Sequence, residues 1–583
     1  MSIVTRPGWL LTGLLLLPLT AIAEEAPVVA VEVTAMDGDL PDELADNIRA
    51  FLAIERIKGQ PAPMVSRLQY LHRQAQEQIR SALQPYGYYR PRIEAELIQQ
   101  SGQWLARYRV DPGEAVRLDE VRLAVSGEAQ SDPAMQELEF SPSLAPGAVL
   151  RHADYEAHKS RMRSQAADRG YYEADFSRQQ LLIDPELGQA DIDLELDSGP
   201  RYRIGEVRFD EAPVDESLLQ RYLPFKPGDP VSSARLLELQ RGLADSEYFS
   251  RVEVQPLWDE ALEQSVPIDV VLEPNKRTAY RFGVGYGTDT GARVSASQHR
   301  RWVNRRGHSW NGLVQLSEVE SAVALQYNIP GERPQSDRYG ARLKWQSEQT
   351  DSTDSELTSA GLFWQKKLGA WQRILSLDWE QERFTLDEES NATNFLIPGM
   401  SWSTTRTDNP LNPSRGYRFS LELKTAAEYL LSDADFVQGL AGAKHVLTLT
   451  ERSRLLTRAD LGITAMENFE IMPSSHRFFA GGDNSVRGYD YKELGPIGDN
   501  GDVVGGRNLL VASAEVDYLV AENWRLAAFF DTGNAIDSVS DPLKSGAGLG
   551  VRYLSPIGPI RVDLAVPLED SGFRIHFSLG PDL

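Results

Sequence analysis

Within residues 509–520, LLVASAEVDYLV, apolar and polar residues alternate from Ala512 to Tyr518. The polar set contains Ser513, Glu515 and Asp517. The apolar set consists of Leu510, Ala512, Ala514, Val516, Tyr518 and Val520. A repeat of two residues is typical of a β-strand with two unlike faces. Because the polar face carries full charges, the pattern indicates a strand of a transmembrane β-barrel with an aqueous interior.

The same alternation recurs from residue 278 to the end of the chain. It is clear in AYRFGVGYGT at 279–288, PIRVDLAV at 559–566 and FRIHFSLG at 573–580. A soluble β-sandwich would also alternate, but the charged inner positions and the aromatic residues near strand ends favour a barrel. At roughly 19 residues for each strand and its turn, we expect an antiparallel barrel of about 16 strands, within a range of about 14 to 18.

Residues 24–275 contain a unit that occurs three times. Each unit has a helical stretch, an aromatic pair and two strand-like segments that end in a turn. The pairs are Tyr88 and Tyr89, Tyr171 and Tyr172, and Tyr248 and Phe249. We predict three β-α-α-β-β modules at residues 24–112, 113–199 and 200–275, followed by a barrel at residues 276–583. The alternative is one irregular α+β domain whose similarities arise by chance.

No cluster of residues in the sequence indicates catalysis or a cofactor. His152 and His158 lie six residues apart, which is not a spacing that places two ligands on one helix face, so we interpret both as surface residues. The glycine-rich segment at 283–291 lacks the Gly-Lys-Ser/Thr ending of a phosphate loop. We therefore expect no enzyme activity, no cofactor and no metal site.

The N-terminus and the composition indicate export. Residues 1–23 combine an early arginine, a short apolar run and Ala-Ile-Ala, which predicts a cleaved signal peptide. The remainder has no run of about 18 apolar residues, so a membrane protein of this sequence would cross as a barrel. The net charge of −25 argues against a nucleic-acid partner. The absence of cysteine excludes disulfides and thiolate metal sites.

The segment GGDNSVRGYDY at residues 481–491 predicts a loop of defined shape around one arginine, Arg487. The alternation places Glu515 on the inner wall, and Asp531 as well if Phe530 faces lipid. A guanidinium offers five donors in a planar fork that suits carboxylates. We therefore predict that the loop folds into the barrel and that Arg487 pairs with Asp531 and Glu515.

Several motifs carry a resemblance to a known family. They are RFFAGGDNSVRGY at 477–489, with Arg487, Gly488 and Tyr489 at its centre, DNPLNPSRGYR at 408–418, with Asp408, Pro410, Pro413 and Gly416 as a turn motif, FFDTGN at 529–534, and SPIGPIRVDLA at 555–565. With serial modules before a barrel, this order resembles the outer-membrane assembly and transport family of BamA/TamA type. In that family the modules are called POTRA domains.

The resemblance implies a function at the Gram-negative outer membrane, with the POTRA modules in the periplasm. The sequence is similar to members of the family that insert or export β-barrel and autotransporter-like clients. A chain with three modules most resembles the TamA branch. That branch implies a TamB-like, inner-membrane-anchored periplasmic partner. The alternative is a pore of the two-partner secretion type, which would pass an unfolded exoprotein through the lumen.

The seam between the first and last strands is the expected gate. Its strands contain Tyr280, Gly283, Gly285 and Gly287 on one side and Phe573, Ile575 and Phe577 on the other. Three glycines weaken the first strand because they add no side-chain packing. A weak ladder would open toward lipid, and a client strand would then pair with the exposed edge.

Overall fold

The computed structural model describes residues 28–100, 103–350, 353–556 and 558–579. The predicted signal peptide at 1–23 lies outside these ranges. The chain forms two compact units, one around the first two modules and one with most of the third module and the whole barrel. Within the described ranges, no helix combines the length and apolar character needed to cross a membrane.

Module 1 packs two helices on a three-stranded sheet. It contains β1 (Val29–Ala35), α1 (Asp42–Phe51), α2 (Val65–Leu83), β2 (Arg92–Gln100) and β3 (Gln103–Asp111). The strand order is β1-β3-β2, with β1 parallel and β2 antiparallel to β3. Leu68, Leu71 and Ile79 recur at helical spacing in α2, and all three are buried against the sheet.

Modules 2 and 3 repeat this order of elements. Module 2 contains β4 (Arg117–Ser126), α3 (Pro133–Gln136), α4 (His152–Asp168), β5 (Asp175–Asp184) and β6 (Gln189–Asp197). Module 3 contains β7 (Arg203–Phe209), α5 (Glu216–Leu219), α6 (Ser233–Asp245), β8 (Phe249–Pro256) and β9 (Ser265–Pro274). In each sheet the last strand lies in the centre. The predicted β-α-α-β-β modules are therefore confirmed.

The interpretation of two histidines as surface residues was wrong. His158 on α4 is buried, and its Nε2 lies 2.9 Å from the carbonyl oxygen of Leu138. His152 is half-buried, and its Nε2 lies 2.5 Å from the hydroxyl of Tyr89. His158 is bound within module 2, whereas His152 contacts Tyr89 at the end of module 1, and burial lowers the pKa of each.

The barrel is one antiparallel sheet of sixteen described strands in chain order, which confirms the predicted fold class. Its strands are β10 (Thr278–Gly287), β11 (Gly291–Arg300), β12 (Ser309–Ser317), β13 (Glu320–Pro330), β14 (Asp337–Gln349), β15 (Thr353–Leu368), β16 (Trp371–Leu386), β17 (Glu389–Thr407), β18 (Gly416–Ala426), β19 (Phe436–Thr448), β20 (Ser453–Met466), β21 (Asn508–Ala521), β22 (Trp524–Ile536), β23 (Lys544–Ser555), β24 (Gly558–Pro567) and β25 (Arg574–Leu579).

The two faces of the barrel wall differ as the alternation predicts. On β21, Val516 and Tyr518 are exposed, whereas Glu515 and Asp517 are buried.

The wall also differs in strand length around its circumference. β10 and β12 contain 10 and 9 residues, whereas β17 contains 19.

Module 3 is hydrogen-bonded to two turns of the barrel, the turn between β11 and β12 and the turn between β13 and β14. The hydroxyl of Tyr248 donates to the carbonyl of Gly307 at 2.6 Å. The Nε of Arg305 donates to Asp215 Oδ1 at 2.8 Å. In the next turn, the carbonyl of Gly331 accepts from Arg221 Nη1 at 2.8 Å. Tyr248, the first residue of the aromatic pair, therefore joins module 3 to the turn between β11 and β12.

Replacing Tyr248 by Phe tests this attachment. The change keeps the ring but leaves the buried carbonyl of Gly307 without its donor, which costs about 1–3 kcal/mol. We expect faster amide hydrogen exchange across residues 301–308 in the purified protein. The control is Tyr429→Phe, because Tyr429 is 85% exposed. Equal exchange in both variants and in the wild type would contradict this role for Tyr248.

Candidate functional site: the loop inside the barrel

The long loop between β20 and β21 enters the barrel and presents Arg487 to the inner wall. Its turn at Gly488 has a φ of +105°, and a Cβ there would lie 3.0 Å from the nitrogen of Pro567 on β24. Only glycine fits both the conformation and the close approach. The adjacent backbone amide of Arg487 donates to Asp531 Oδ2 at 3.1 Å.

Arg487 forms a fork with Asp531 and contacts two further carboxylates. Its Nε donates to Asp531 Oδ2 at 2.7 Å, and its Nη2 donates to Oδ1 at 3.0 Å. Its Nη1 donates to Glu515 Oε2 at 2.8 Å and to Asp563 Oδ2 at 3.0 Å. Glu515 and Asp531 are the predicted partners. Asp563, on β24, is an additional one.

A second arginine completes this carboxylate cluster. Arg552 on β23 donates from Nη2 to Glu515 Oε2 at 2.9 Å, and its Nη1 lies 2.5 Å from Asp563 Oδ1. The guanidinium of Arg487 also lies over the ring of Phe529, 3.4 Å from its centroid. The side chain of Arg487 is 8% exposed and that of Asp531 is fully buried. The charges are therefore desolvated, and each depends on its partners.

The loop is also held on the opposite side of the lumen. Glu382 on β16 is buried and accepts from Ser474 Oγ at 2.7 Å and from the amide of Ser475 at 3.2 Å. Next to it, His476 Nε2 lies 2.7 Å from Glu380 Oε2. Lys492 Nζ lies 2.5 Å from Glu348 Oε1 on β14. The loop thus bridges the wall at β14–β16 and the wall at β21–β24.

Arg477 organises the loop from within. Its Nε donates to the carbonyl of Met472 at 2.8 Å, and its Nη1 donates to that of Val504 at 3.0 Å. The carbonyl of Glu470 accepts from Nη2 at 2.7 Å. One side chain therefore joins both ends of the loop, because a guanidinium offers five donors in one plane.

The seam between β10 and β25 differs from every other strand boundary. Each neighbouring pair from β10 to β25 forms a backbone ladder, but no ladder joins β10 to β25 among the residues that the structure describes. The two strands approach where the rings of Tyr286 and Phe577 lie with centroids 6.5 Å apart. β25 begins at Arg574, so the prediction that Phe573 belongs to this strand was wrong. Phe573 follows Gly572, whose φ of +128° belongs to the preceding turn.

Side chains and the loop join the two seam strands instead. The amide of Phe577 donates to Thr288 Oγ1 at 3.1 Å, and this hydroxyl donates to Asp483 Oδ1 at 2.7 Å. His576 Nδ1 lies 2.7 Å from the same Asp483 oxygen. The amide of Asp483 donates to Asp289 Oδ2 at 2.8 Å. We call Thr288, Asp289, Asp483 and His576 the seam clasp.

The donor atoms of Asp289, Asp483 and His576 lie close enough together to suggest a cation site. The imidazole argues against this interpretation. The amide of Gly488 donates to His576 Nε2 at 2.9 Å, so Nε2 is the acceptor and Nδ1 of the neutral ring carries the proton. That proton points at Asp483, and Nδ1 therefore has no lone pair for a metal.

The turn motif lies between β17 and β18. Asp408 Oδ1 accepts from the amides of Asn409 at 2.9 Å and Ser414 at 3.0 Å, while Ser414 Oγ donates to Oδ2. The hydrogen bond from this hydroxyl and those from the amides lower the pKa of Asp408 to about 2. The turn also contains Pro410, and Gly416 starts β18. Arg454 on β20 donates to the carbonyl of Pro413 and to Asp517, so the turn is joined to the inner wall.

Comparison with known proteins identifies the family. The model described as the Omp85 superfamily domain matches residues 277–582. The chain belongs to the Omp85 superfamily. A model described as POTRA domain TamA domain 1 matches residues 31–112, and a POTRA model described as surface antigen variable number repeat matches residues 202–275.

Two curated proteins named outer membrane protein assembly factor BamA are similar to this Omp85 chain. The one from Nitratidesulfovibrio vulgaris is 22% identical over 391 residues, which cover 63% of this chain and 49% of that protein. The one from Neisseria meningitidis serogroup B is 20% identical over 536 residues, which cover 79% and 66% respectively. The chain therefore spans about half to two thirds of the length of these relatives.

A solved structure supports the fold of this Omp85 chain. The crystal structure of BamA from Haemophilus ducreyi lacking POTRA domains 1-3 has a TM-score of 0.67 and 17% identity, and covers 80% of this chain and 99% of that one. With the family match, the barrel is an outer-membrane barrel.

The inner-wall cluster of this Omp85 barrel contains residues that the sequence did not assign as partners. Asp563 and Arg552 contact the Arg487 network, and Glu382 holds the other side of the loop. The alternation in residues 559–566 places Asp563 on the inner face, so its position, though not its partner, could be predicted from the sequence. No local signal pairs Glu382 with Ser474, because 92 residues separate them.

Replacing Arg487 by Ala tests the carboxylate cluster. The change leaves Glu515 and Asp563 buried with Arg552 as their ion-pair partner, and it leaves Asp531 without an ion pair among the described residues. We expect it to lower the free energy of unfolding by roughly 3–5 kcal/mol, the scale for removing one member of a buried ion pair. The measurement is the urea midpoint of barrels folded in detergent micelles, followed by tryptophan fluorescence.

A double variant separates loss of the pair from general damage. Arg487→Ala with Asp531→Ala should cost less than the sum of the two single changes, because neither charge is then left alone. The control is Arg415→Ala in the exposed turn between β17 and β18. Additive costs, or a loss below about 1 kcal/mol for Arg487→Ala, would show that solvent screens the cluster.

Proposed function

We propose that this Omp85 protein assembles or translocates β-barrel and autotransporter-like clients at the outer membrane through a lateral gate between β10 and β25. The observation that carries the proposal is the seam, where, among the residues that the structure describes, side chains take the place of a backbone ladder. The few side-chain hydrogen bonds across the seam are outnumbered by the backbone hydrogen bonds of a ladder. The boundary between β10 and β25 is therefore the easiest one to separate. The family and the BamA relatives support a role in assembly or transport.

The chemistry of the seam suits strand exchange. When β10 and β25 separate, their backbone donors and acceptors become free to pair with a client strand. A client that adds one strand at a time keeps its backbone groups bonded while it enters hydrocarbon. No covalent step is needed, so the proposed function requires neither a catalytic residue nor a cofactor.

The alternative is transport of an unfolded exoprotein through the lumen. The loop that bridges the lumen from β14–β16 to β21–β24 argues against a free passage, because its two attachments would both have to break. A lumenal route would require the loss of the Arg487 cluster and the Glu382 contacts together.

The proposed periplasmic partner is a TamB-like protein that binds the POTRA modules. The match of residues 31–112 to the first POTRA domain of TamA supports this choice. Module 3 would transmit the partner's position to the turn between β11 and β12 through Tyr248. This turn joins β12 to β11, and β11 is the strand that pairs with β10.

A disulfide across the seam tests the gate. The sequence contains no cysteine, so Tyr286→Cys with Phe577→Cys introduces a single pair, at side chains that approach across the seam. Barrels are reconstituted in liposomes with an autotransporter-type client, and assembled client is counted in the oxidised and reduced states. We expect oxidation to stop assembly and reduction to restore it.

The matched control joins β10 to β11 instead. Val284→Cys with Val294→Cys places both cysteines on register partners of one hairpin, so this disulfide does not close the seam. It should leave assembly unchanged. Full assembly by a barrel whose 286–577 disulfide is verified would rule out lateral opening and favour the lumenal route.

Weakening the seam clasp should have the opposite effect. Thr288→Val keeps the shape of the side chain but removes the hydroxyl that joins Phe577 to Asp483. If opening limits the rate, we expect client assembly to become about threefold to tenfold faster, the equivalent of roughly 0.7–1.4 kcal/mol. Thr290→Val, two residues away in the same turn, is the control. An unchanged rate in Thr288→Val would mean that the clasp does not restrain the gate.

A further inference from the structure

A row of three basic side chains crosses the inner wall of the barrel. Arg418 on β18 lies directly opposite Lys444 on β19, and Lys444 lies directly opposite Arg458 on β20. The register continues from Arg458 to Ser513 and from Ser513 to Asp531. Since register partners share a face of the sheet and Asp531 faces the loop, the basic row faces the lumen.

This arrangement is unfavourable for the barrel alone. Like charges directly opposite one another destabilise a sheet. Within the described ranges, neither Arg418 nor Lys444 has a hydrogen bond or an ion pair. Arg458 forms an ion pair with Asp460, 3.7 Å from its Nε to Oδ2, and its Nη2 donates to the carbonyl of Ser485, while the Nε itself has no hydrogen-bond partner there.

Four other cations of the same lumen are matched to carboxylates. Arg342 pairs with Asp378, Arg454 with Asp517, Lys492 with Glu348, and Arg552 with Glu515. The protein carries 85 acidic residues against 60 basic ones, so acidic partners are plentiful. Within the described ranges, Arg418 and Lys444 therefore differ from these four cations in having no carboxylate partner.

A small cavity lies against this row. Its volume is about 100 Å³, and its lining includes Lys444, Arg458 and Ser513 on one side and Arg561 and Ser578 on the other. The positive charges of Arg418, Arg458 and Arg561 act on Lys444, and the carboxylate of Asp460 acts on it in the opposite direction. Asp483, Glu515 and Asp563 also line the cavity, but His576 and Thr288 already bind Asp483, and Arg487 and Arg552 bind the other two.

We propose that this cavity binds a phosphate group. Guanidinium forks and a lysine ammonium are the usual ligands of phosphate oxygens. A phosphate group with a charge of roughly −1.5 to −2 would offset more of the basic row than a single carboxylate. The volume admits one such group and excludes a polypeptide segment. The group is either free phosphate or the headgroup of a lipid.

The inference does not rest on the lateral gate, and its test uses no client. The protein is purified in dodecyl maltoside micelles, which contain no phosphate. Its thermal midpoint is measured with increasing inorganic phosphate and with chloride at equal ionic strength. Phosphate should raise the midpoint further than chloride, because a ligand that binds the folded state stabilises it.

Lys444→Gln is the decisive variant. We expect its apparent affinity for phosphate to fall at least about tenfold, because one charge-assisted contact is lost. Without phosphate at low salt, its midpoint should lie above that of the wild type, since two like-charge contacts are removed. Lys444→Arg should retain phosphate binding. The control is Lys344→Gln, on the inner face of β14 and outside this cavity.

Two results would overturn the proposal. One is equal stabilisation by phosphate and chloride in the wild type, and the other is an undiminished phosphate effect in Lys444→Gln. A second titration with dihexanoylphosphatidic acid below its micelle concentration distinguishes the source. Tighter binding of this lipid than of inorganic phosphate, with the same dependence on Lys444, assigns a lipid headgroup. Binding of inorganic phosphate alone assigns the free ion.

Discussion

The burial of Arg487 against three carboxylates is the constraint on which the rest of the lumen depends. Two guanidinium groups, from Arg487 and Arg552, share Glu515 and Asp563, while Asp531 belongs to Arg487. Withdrawing the loop would leave these carboxylates with one cation in a desolvated wall, which is costly. The loop backbone is therefore held in place, and the contacts to Glu382 and to the seam form around that fixed position.

The alternation of the sequence was sufficient to predict much of this arrangement. A repeat of two places Glu515, Asp531 and Asp563 on one wall, and a glycine-rich loop with a central arginine supplies the matching donor. Pairing between Arg487 and Asp531 followed from chemistry alone, because a planar fork needs a carboxylate. The three modules were visible because each one repeats the same helix, aromatic pair and strands.

The contacts that the sequence did not reveal depend on closure of the barrel. Glu382 meets Ser474 only because β16 and the loop share one lumen, and parity does not say which strands face each other across it. The seam clasp likewise joins Thr288, Asp483 and His576, which come from three distant parts of the chain. His158 was misjudged for a related reason, since its burial depends on Leu138, in another element of module 2.

The unequal strand lengths have a consequence for the membrane. About 9–11 tilted residues suffice to cross the hydrocarbon of a bilayer, so β10 and β12 end close to the lipid surface. β17 has nine residues more than β10, which corresponds to roughly 30 Å of additional strand. The barrel wall is therefore shortest, measured along its strands, on the side of the seam. A polypeptide leaving there would meet the lipid headgroups at once, whereas on the far side a wall of protein would still separate it from the bilayer.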